Sequence, residues 1–207
     1  MAKPIKRQSD FSGELHTWLK DGRDKTLGGL NDVFAEKTFA IAFLLLMALP
    51  ALPIPTGGLT HLTEIIAMLL ALELIAGRKS VWLPKRWLKV DVGKALSGKA
   101  AGKLIGFIGW FERRSRQRWN GAMVRTPVPS VIGFIVLTFT VAAFVAPPFS
   151  GLDTLPALGV VIISLGLILE DGLLLIMGIL VGILGIGLEI VADTAAYNGI
   201  KHLLQYV

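Results

Sequence analysis

Hydrophobic positions along this chain fall into five blocks nearly free of charge, with polar punctuation between them. A block that is apolar on every side belongs inside protein or inside lipid. The first, residues 38–52, offers about 15 apolar positions and ends in Pro50, Pro53 and Pro55. The second follows the turn Pro55-Thr56-Gly57-Gly58, opens with Leu59-Thr60-His61-Leu62-Thr63-Glu64, and is apolar, Glu73 apart, only over residues 65–76. Both are shorter than the roughly 20 residues of a perpendicular span, so they read as tilted spans or as a re-entrant hairpin, with the hairpin favoured. The third and fourth blocks, residues 128–147 and 151–169, form a second pair, and the fifth, residues 172–192, is the best single span. It carries Gly178, Gly182, Gly185 and Gly187. Gly178 and Gly182 form the small-xxx-small spacing that admits a second helix, which predicts a homodimer built on that face.

The polar stretches orient these blocks. Of 21 basic residues, 13 lie in residues 78–125, with only Asp91 and Glu112 among them. Such a loop stays cytoplasmic. Val81-Trp82-Leu83-Pro84-Lys85-Arg86-Trp87 is an interfacial pattern, and all five tryptophans flank the apolar blocks rather than enter them. Residues 100–111 are apolar but contain Lys103 and precede Glu112-Arg113-Arg114, as expected of a helix lying in the membrane plane. At the start of the chain, Phe11, Leu15, Trp18 and Leu19 predict a short surface helix over residues 10–20. The sequence therefore reads as an all-α integral membrane protein. A cytoplasmic amphipathic region (1–37) leads to membrane hairpin repeat 1 (38–77). A basic interfacial loop (78–127) separates this from hairpin repeat 2 (128–170), a transmembrane helix (171–192) and a tail (193–207). The net charge of +6 belongs to the loop and points to anionic lipid headgroups, not nucleic acid. The headgroup contacts assigned to it are Lys85, Arg86, Arg113, Arg114, Arg116 and Arg118.

The two hairpins resemble one another. An offset of 93 residues places Gly58-Leu59-Thr60-His61-Leu62 on Gly151-Leu152-Asp153-Thr154-Leu155, Pro55 on Pro148, and Leu72, Leu74 and Ile75 on Leu165, Leu167 and Ile168. Paired Pro/Gly-interrupted segments in two halves mark a transporter-like site, because helix N-termini carry free N–H groups and partial positive charge. The candidate ligand-binding residues are accordingly Gly57, Gly58, Thr60, His61, Glu64, Gly151, Asp153 and Thr154. They would hold a phosphate, with Asp153 outside its immediate contacts. The charge argument gives both hairpins one orientation, and hence a pseudo-twofold along the membrane normal.

The remaining chemistry is sparse. There is no cysteine, the three histidines are dispersed, and no nucleophile, P-loop, dinucleotide or zinc-protease motif occurs. The polar first 37 residues do not read as a signal peptide. His61 and Glu64 share a helix face, while Glu73 lies on the opposite side and is expected to pair with Arg78 and Lys79. Glu170 and Asp171 are expected to face water, and Glu189 to be interfacial. No enzyme activity, metal or cofactor is expected.

The run from Thr26-Leu27 through the first prolines, Gly58-Leu59, the helix ending in Gly77-Arg78, and Trp82-Leu83-Pro84-Lys85-Arg86 resembles the ExoD family. So does the second half, from Pro147 to Asp171-Gly172-Leu173-Leu174. The resemblance implies a multi-pass protein of the bacterial inner membrane linked to exopolysaccharide production, with no known catalytic activity. Combined with the basic loop, it suggests handling of membrane lipids such as polyprenyl phosphate or a lipid-linked sugar. A proton or cation transporter using His61, Glu64 and Glu73, and an assembly factor for a glycan synthase, are the alternatives.

Overall fold

The computed structural model describes residues 37–52, 59–78, 81–82, 99–115, 128–147 and 150–204, together with Gly13, His16, Thr17 and Thr26. Apart from an isolated bridge residue, Thr26, the regular structure among these residues is helical: α1 (Thr38–Met47), α2 (Leu59–Ile75), α3 (Lys99–Arg114), α4 (Val128–Val145), α5 (Thr154–Leu169) and α6 (Gly172–Leu204). The helix expected over residues 10–20 is represented by Gly13, His16 and Thr17, all helical, with the Thr17 hydroxyl donating to the Gly13 carbonyl at 2.8 Å.

Proline sets several of the boundaries. Pro129 and Pro156 lie in the first turns of α4 and α5, where a missing N–H costs nothing. Pro50 and Pro147 follow the ends of α1 and α4. Glycine closes α2: Gly77 is left-handed (φ 75), its N–H reaches the Leu74 carbonyl at 3.0 Å, and the Arg78 N–H reaches the Glu73 carbonyl at 3.1 Å. This is a Schellman closure. At the end of α5, Glu170 takes the same left-handed conformation (φ 54), and the Asp171 N–H reaches the Gly166 carbonyl at 2.9 Å. Each of these residues sits 93 positions after its counterpart in α2.

α1, α2, α4 and α5 form a four-sided ring in which each packs on its two neighbours in the order α1–α2–α4–α5, while the diagonal pairs scarcely touch. Neighbours run antiparallel. The Ser130 hydroxyl at the start of α4 donates to the Ile75 carbonyl at the end of α2 (3.1 Å), and the Lys37 ammonium before α1 donates to the Ile168 carbonyl at the end of α5 (2.7 Å). α6 lies along α5, and α3 crosses near α5.

Burial is unequal. α1 is buried at nine of its ten positions and α5 at 13 of 16. The buried hydroxyls Thr140 and Ser164 satisfy themselves on the carbonyls of Val136 and Val160, each at 2.7 Å. The outer helices instead turn large apolar side chains outward: Leu62, Ile65, Leu69 and Leu72 on α2, Phe134 (65% exposed) on α4, Leu180, Ile183, Leu184 and Val191 on α6. Two helices, Val128–Val145 and Gly172–Asn198, are long and apolar enough to cross a membrane. Short helices buried inside, and long ones with apolar outer faces, suit a body whose solvent is lipid.

The α5–α6 contact is the most extensive in the bundle. A methyl added at Gly178 would stand 2.6 Å from the Ile163 nitrogen, and one at Gly166 would stand 2.7 Å from the Leu175 nitrogen. The close approach expected of Gly178 and Gly182 is therefore made within the chain, against α5 and the Phe139 ring of α4. That face is occupied and is not open to a second copy, so it cannot be the dimer surface the sequence suggested. Of Gly178, Gly182, Gly185 and Gly187, only Gly187 faces open space.

Candidate functional site

The antiparallel ring gives the bundle two chemically distinct ends. The starts of α1, α4 and α6 and the ends of α2 and α5 share one end with Lys37, Arg78, Arg113 and Arg114, called here the basic end. The starts of α2 and α5, the end of α4 and the middle of α6 share the other, the acidic end, with Glu64, Asp153 and Glu189.

At the acidic end, one turn into α2, His61 Nδ1 and Glu64 Oε2 share a hydrogen bond of 2.9 Å. The Glu64 side chain is fully buried while that of His61 is 38% exposed. The imidazole stacks edge-on against Phe144 of α4, with centroids 5.2 Å apart. Asp153 precedes α5 without making a side-chain cap, and it lies near enough to act by charge on both Glu64 and Glu189. The α5–α6 register explains the second pairing. Gly185 abuts Pro156, and Glu189 lies one turn further along α6, level with Asp153 in the antiparallel helix. Glu189 is only 7% exposed. One oxygen of each glutamate, Glu64 Oε1 and Glu189 Oε1, is buried without a hydrogen-bond partner.

The other candidates at this end are placed as follows. Thr60 is buried and its carbonyl accepts from the Thr63 hydroxyl at 2.8 Å. Gly151 is exposed and left-handed (φ 71). Thr154 is half-buried, its N–H reaching the Gly151 carbonyl at 3.3 Å. Gly57 and Gly58 lie outside the described residues, as do Pro55 and Pro148. No group of three or more His, Asp or Glu side chains among the described residues has the geometry to hold a metal ion.

At the basic end α3 presents Arg113 and Arg114 to the exterior, with the Arg114 guanidinium 4.5 Å over the exposed Trp110 ring. Its C-terminus is fastened to the bundle: the Ser115 hydroxyl donates to Asp171 Oδ2 at 3.0 Å, and Asp171 Oδ1 accepts from the Leu173 N–H at 3.0 Å as the N-cap of α6. Asp171 is thus 4% exposed and structural, contrary to the expectation that it faces water. Glu170 is partly exposed and pairs with Lys37 at 3.5 Å. Glu73 accepts from the Trp82 N–H at 2.7 Å rather than pairing with the Arg78 side chain, whose guanidinium lies 5.3 Å over the Trp82 ring. Lys85, Arg86, Arg116 and Arg118 lie outside the described residues.

Sequence reasoning paired His61 with Glu64 correctly but missed Glu189 as a member of the acidic end. The available signal was the glycine register of α6, which counts forward from Gly185 to the level of Asp153.

Comparison with known proteins places this architecture in a family. The family model described as "Exopolysaccharide synthesis, ExoD" matches residues 11–191. An uncharacterized protein of Synechocystis sp. is 32% identical over 187 residues, covering 84% of this chain and 84% of that protein. No solved structure matches. With the matched region spanning every helix of the ring and α6 as far as residue 191, the chain belongs to the ExoD family, whose work lies in exopolysaccharide synthesis.

Proposed function

We propose that this chain is a multi-pass protein of the bacterial inner membrane, not an enzyme, that engages the phosphate of a lipid carrier or lipid-linked glycan used in exopolysaccharide synthesis. The observation that carries this reading is α3. It is an amphipathic helix with two exposed arginines beside an exposed tryptophan, and its end is fastened to the buried Asp171. Such a surface gathers anionic headgroups where cations reach phosphates and aromatic rings sit at headgroup depth. The outward apolar faces of α2, α4 and α6 meet acyl chains, and a long isoprenoid tail would run along them.

The phosphate is held at the basic end in this reading. The starts of α2 and α5 do lie at one end, yet Glu64, Asp153 and Glu189 make that end unfavourable for an anion.

In this reading the 93-residue offset is an internal repeat in parallel orientation, with a pseudo-twofold axis from end to end. Gly77 and Glu170 close α2 and α5 in the same way. Lys37 and Ser130, also 93 apart, each cap the second helix of the opposite pair. Parallel repeats of this kind recur in membrane transporters, with the working site where the halves meet.

The test uses full-length protein in detergent and a fluorescent polyprenyl phosphate. Each juxtamembrane cation contributes about 1 kcal/mol toward anionic headgroups, so Arg113→Gln with Arg114→Gln should weaken binding by roughly 30-fold. The neutral polyprenol should bind both proteins alike. Unchanged phosphate affinity in the double variant would remove α3 from the function.

A further inference from the structure

The carboxyl oxygens left without partners at the acidic end take no part in the carrier reading. Asp153 lies there within range of both Glu64 and Glu189, and each glutamate has a buried oxygen without a hydrogen-bond partner. An ionised carboxylate so placed is costly unless a cation or several donors attend it. Among the described residues no lysine or arginine is paired with either: α1 and α4, the helices that pack beside α2, contain no charged residue. The acid facing Glu64 is Asp153, just before α5, and the acids facing Glu189 are Asp153 and Asp193, one turn on along α6. Among the described residues the imidazole of His61 is the basic group in contact, and it touches only Oε2 of Glu64. The described residues also lack the convergence of ligands that a metal ion requires.

We propose that the acidic end is a proton-binding site, in which Glu64 carries an exchangeable proton on its buried carboxyl group and His61 is the group through which that proton enters and leaves. The sealed Oε1, which no donor or cation meets, keeps the proton on Glu64, and Asp153 adds like-charge repulsion. His61 suits the entry role because of its position. Its ring is partly open to the exterior while one nitrogen is already bonded to Glu64. A proton taken up there moves along an existing hydrogen bond to a carboxylate sealed behind it, and it leaves by the same route. Phe144, packed edge-on against the ring, fixes the orientation that makes the route continuous. The second half of the ring has no equivalent pair, because the positions 93 beyond His61 and Glu64 are Thr154 and Ala157. The proton site is therefore asymmetric within an otherwise paired bundle. This inference goes beyond the carrier reading and does not rest on it, so failure of polyprenyl phosphate to bind would leave it standing.

The test is infrared spectroscopy of the full-length protein in lipid nanodiscs, following the C=O stretch of a protonated carboxylic acid near neutral pH. The wild type should show that band, Glu64→Gln should abolish it, and Asp153→Asn should shift or weaken it. Glu64→Asp should retain a band at a displaced position, which guards against misreading a variant that has failed to fold. His61→Phe should keep the band but slow its exchange in heavy water several-fold. Absence of the band in the wild type, or its persistence in Glu64→Gln, would overturn the proposal. So would a band that appears only when sodium and potassium are withdrawn, which would make the pocket a monovalent-cation site instead.

Discussion

Lys37 and Ser130 do the same job on opposite sides of the bundle: each donates to the last carbonyls of a helix belonging to the other hairpin. They stand 93 residues apart, the offset that also superposes the glycine-leucine punctuation of the two hairpins. Each donor satisfies a carbonyl that the helix end leaves free, and the ammonium additionally meets the negative end of the α5 dipole. Ser130→Ala should lower stability by about 1 kcal/mol. Lys37→Met should cost somewhat more, up to about 2 kcal/mol, discounted for its partial exposure. Thermal unfolding in detergent would check both, and an unchanged midpoint in the two variants would show that these bonds contribute nothing.

Backbone contact between α5 and α6 makes a second prediction. A methyl at Gly159 would meet the Gly182 Cα at 2.7 Å, and backbone cannot step aside as a flexible side chain can. Gly159→Ala and Gly178→Ala should therefore destabilise by about 1–3 kcal/mol. Gly187→Ala, facing open space, should be neutral or stabilise by up to about 1 kcal/mol. Equal midpoints for all three would contradict the packing.

The tie between α3 and α6 gives a third. Asp171→Ala removes both the N-cap and the acceptor for Ser115, whereas Ser115→Ala removes one hydrogen bond. Losses of about 2 and about 1 kcal/mol follow. Proteolysis within residues 99–115 should also quicken in both variants. A protease pattern identical to wild type would mean that α3 is held by other contacts.

Sidedness supplies a fourth. The chain contains no cysteine, so single probes report cleanly. Ser150→Cys, in the exposed turn before α5, should react with an impermeant maleimide added outside intact cells. Arg113→Cys should react only after permeabilisation. Labelling of both from one side would break the assignment of the two ends to opposite faces of the membrane.

Much of this arrangement was legible in the sequence because lipid simplifies the code. Charge-free blocks became helices, and proline and glycine marked most of their ends. The closure of α2 at Gly77 could be read directly, since glycine is the residue that adopts the left-handed conformation without penalty. Its counterpart Glu170 could not, because a glutamate there is tolerated only where the surrounding turn enforces it. Asp171 and Glu189 were misjudged for a related reason. Acids near block ends look solvated by composition, and only the tertiary partners show otherwise: Ser115 from 56 residues away for one, the α5 register for the other. The glycine pair on α6 was recognised as a contact surface, but composition cannot say whether the opposing helix comes from the same chain or from another.

The apolar length of α6, Gly172–Asn198, spans 27 residues. That is about 40 Å of helix, against roughly 30 Å of hydrocarbon in an ordinary bilayer. Because α5 is seated along the first half of α6 through backbone contacts, α6 cannot lean alone to absorb the excess. Any inclination must be shared by the entire ring, or the surrounding lipids must stretch to match. Changes in acyl-chain length or sterol-like content would then rotate both polar ends relative to the surface, which makes bilayer thickness a physical input to the molecule.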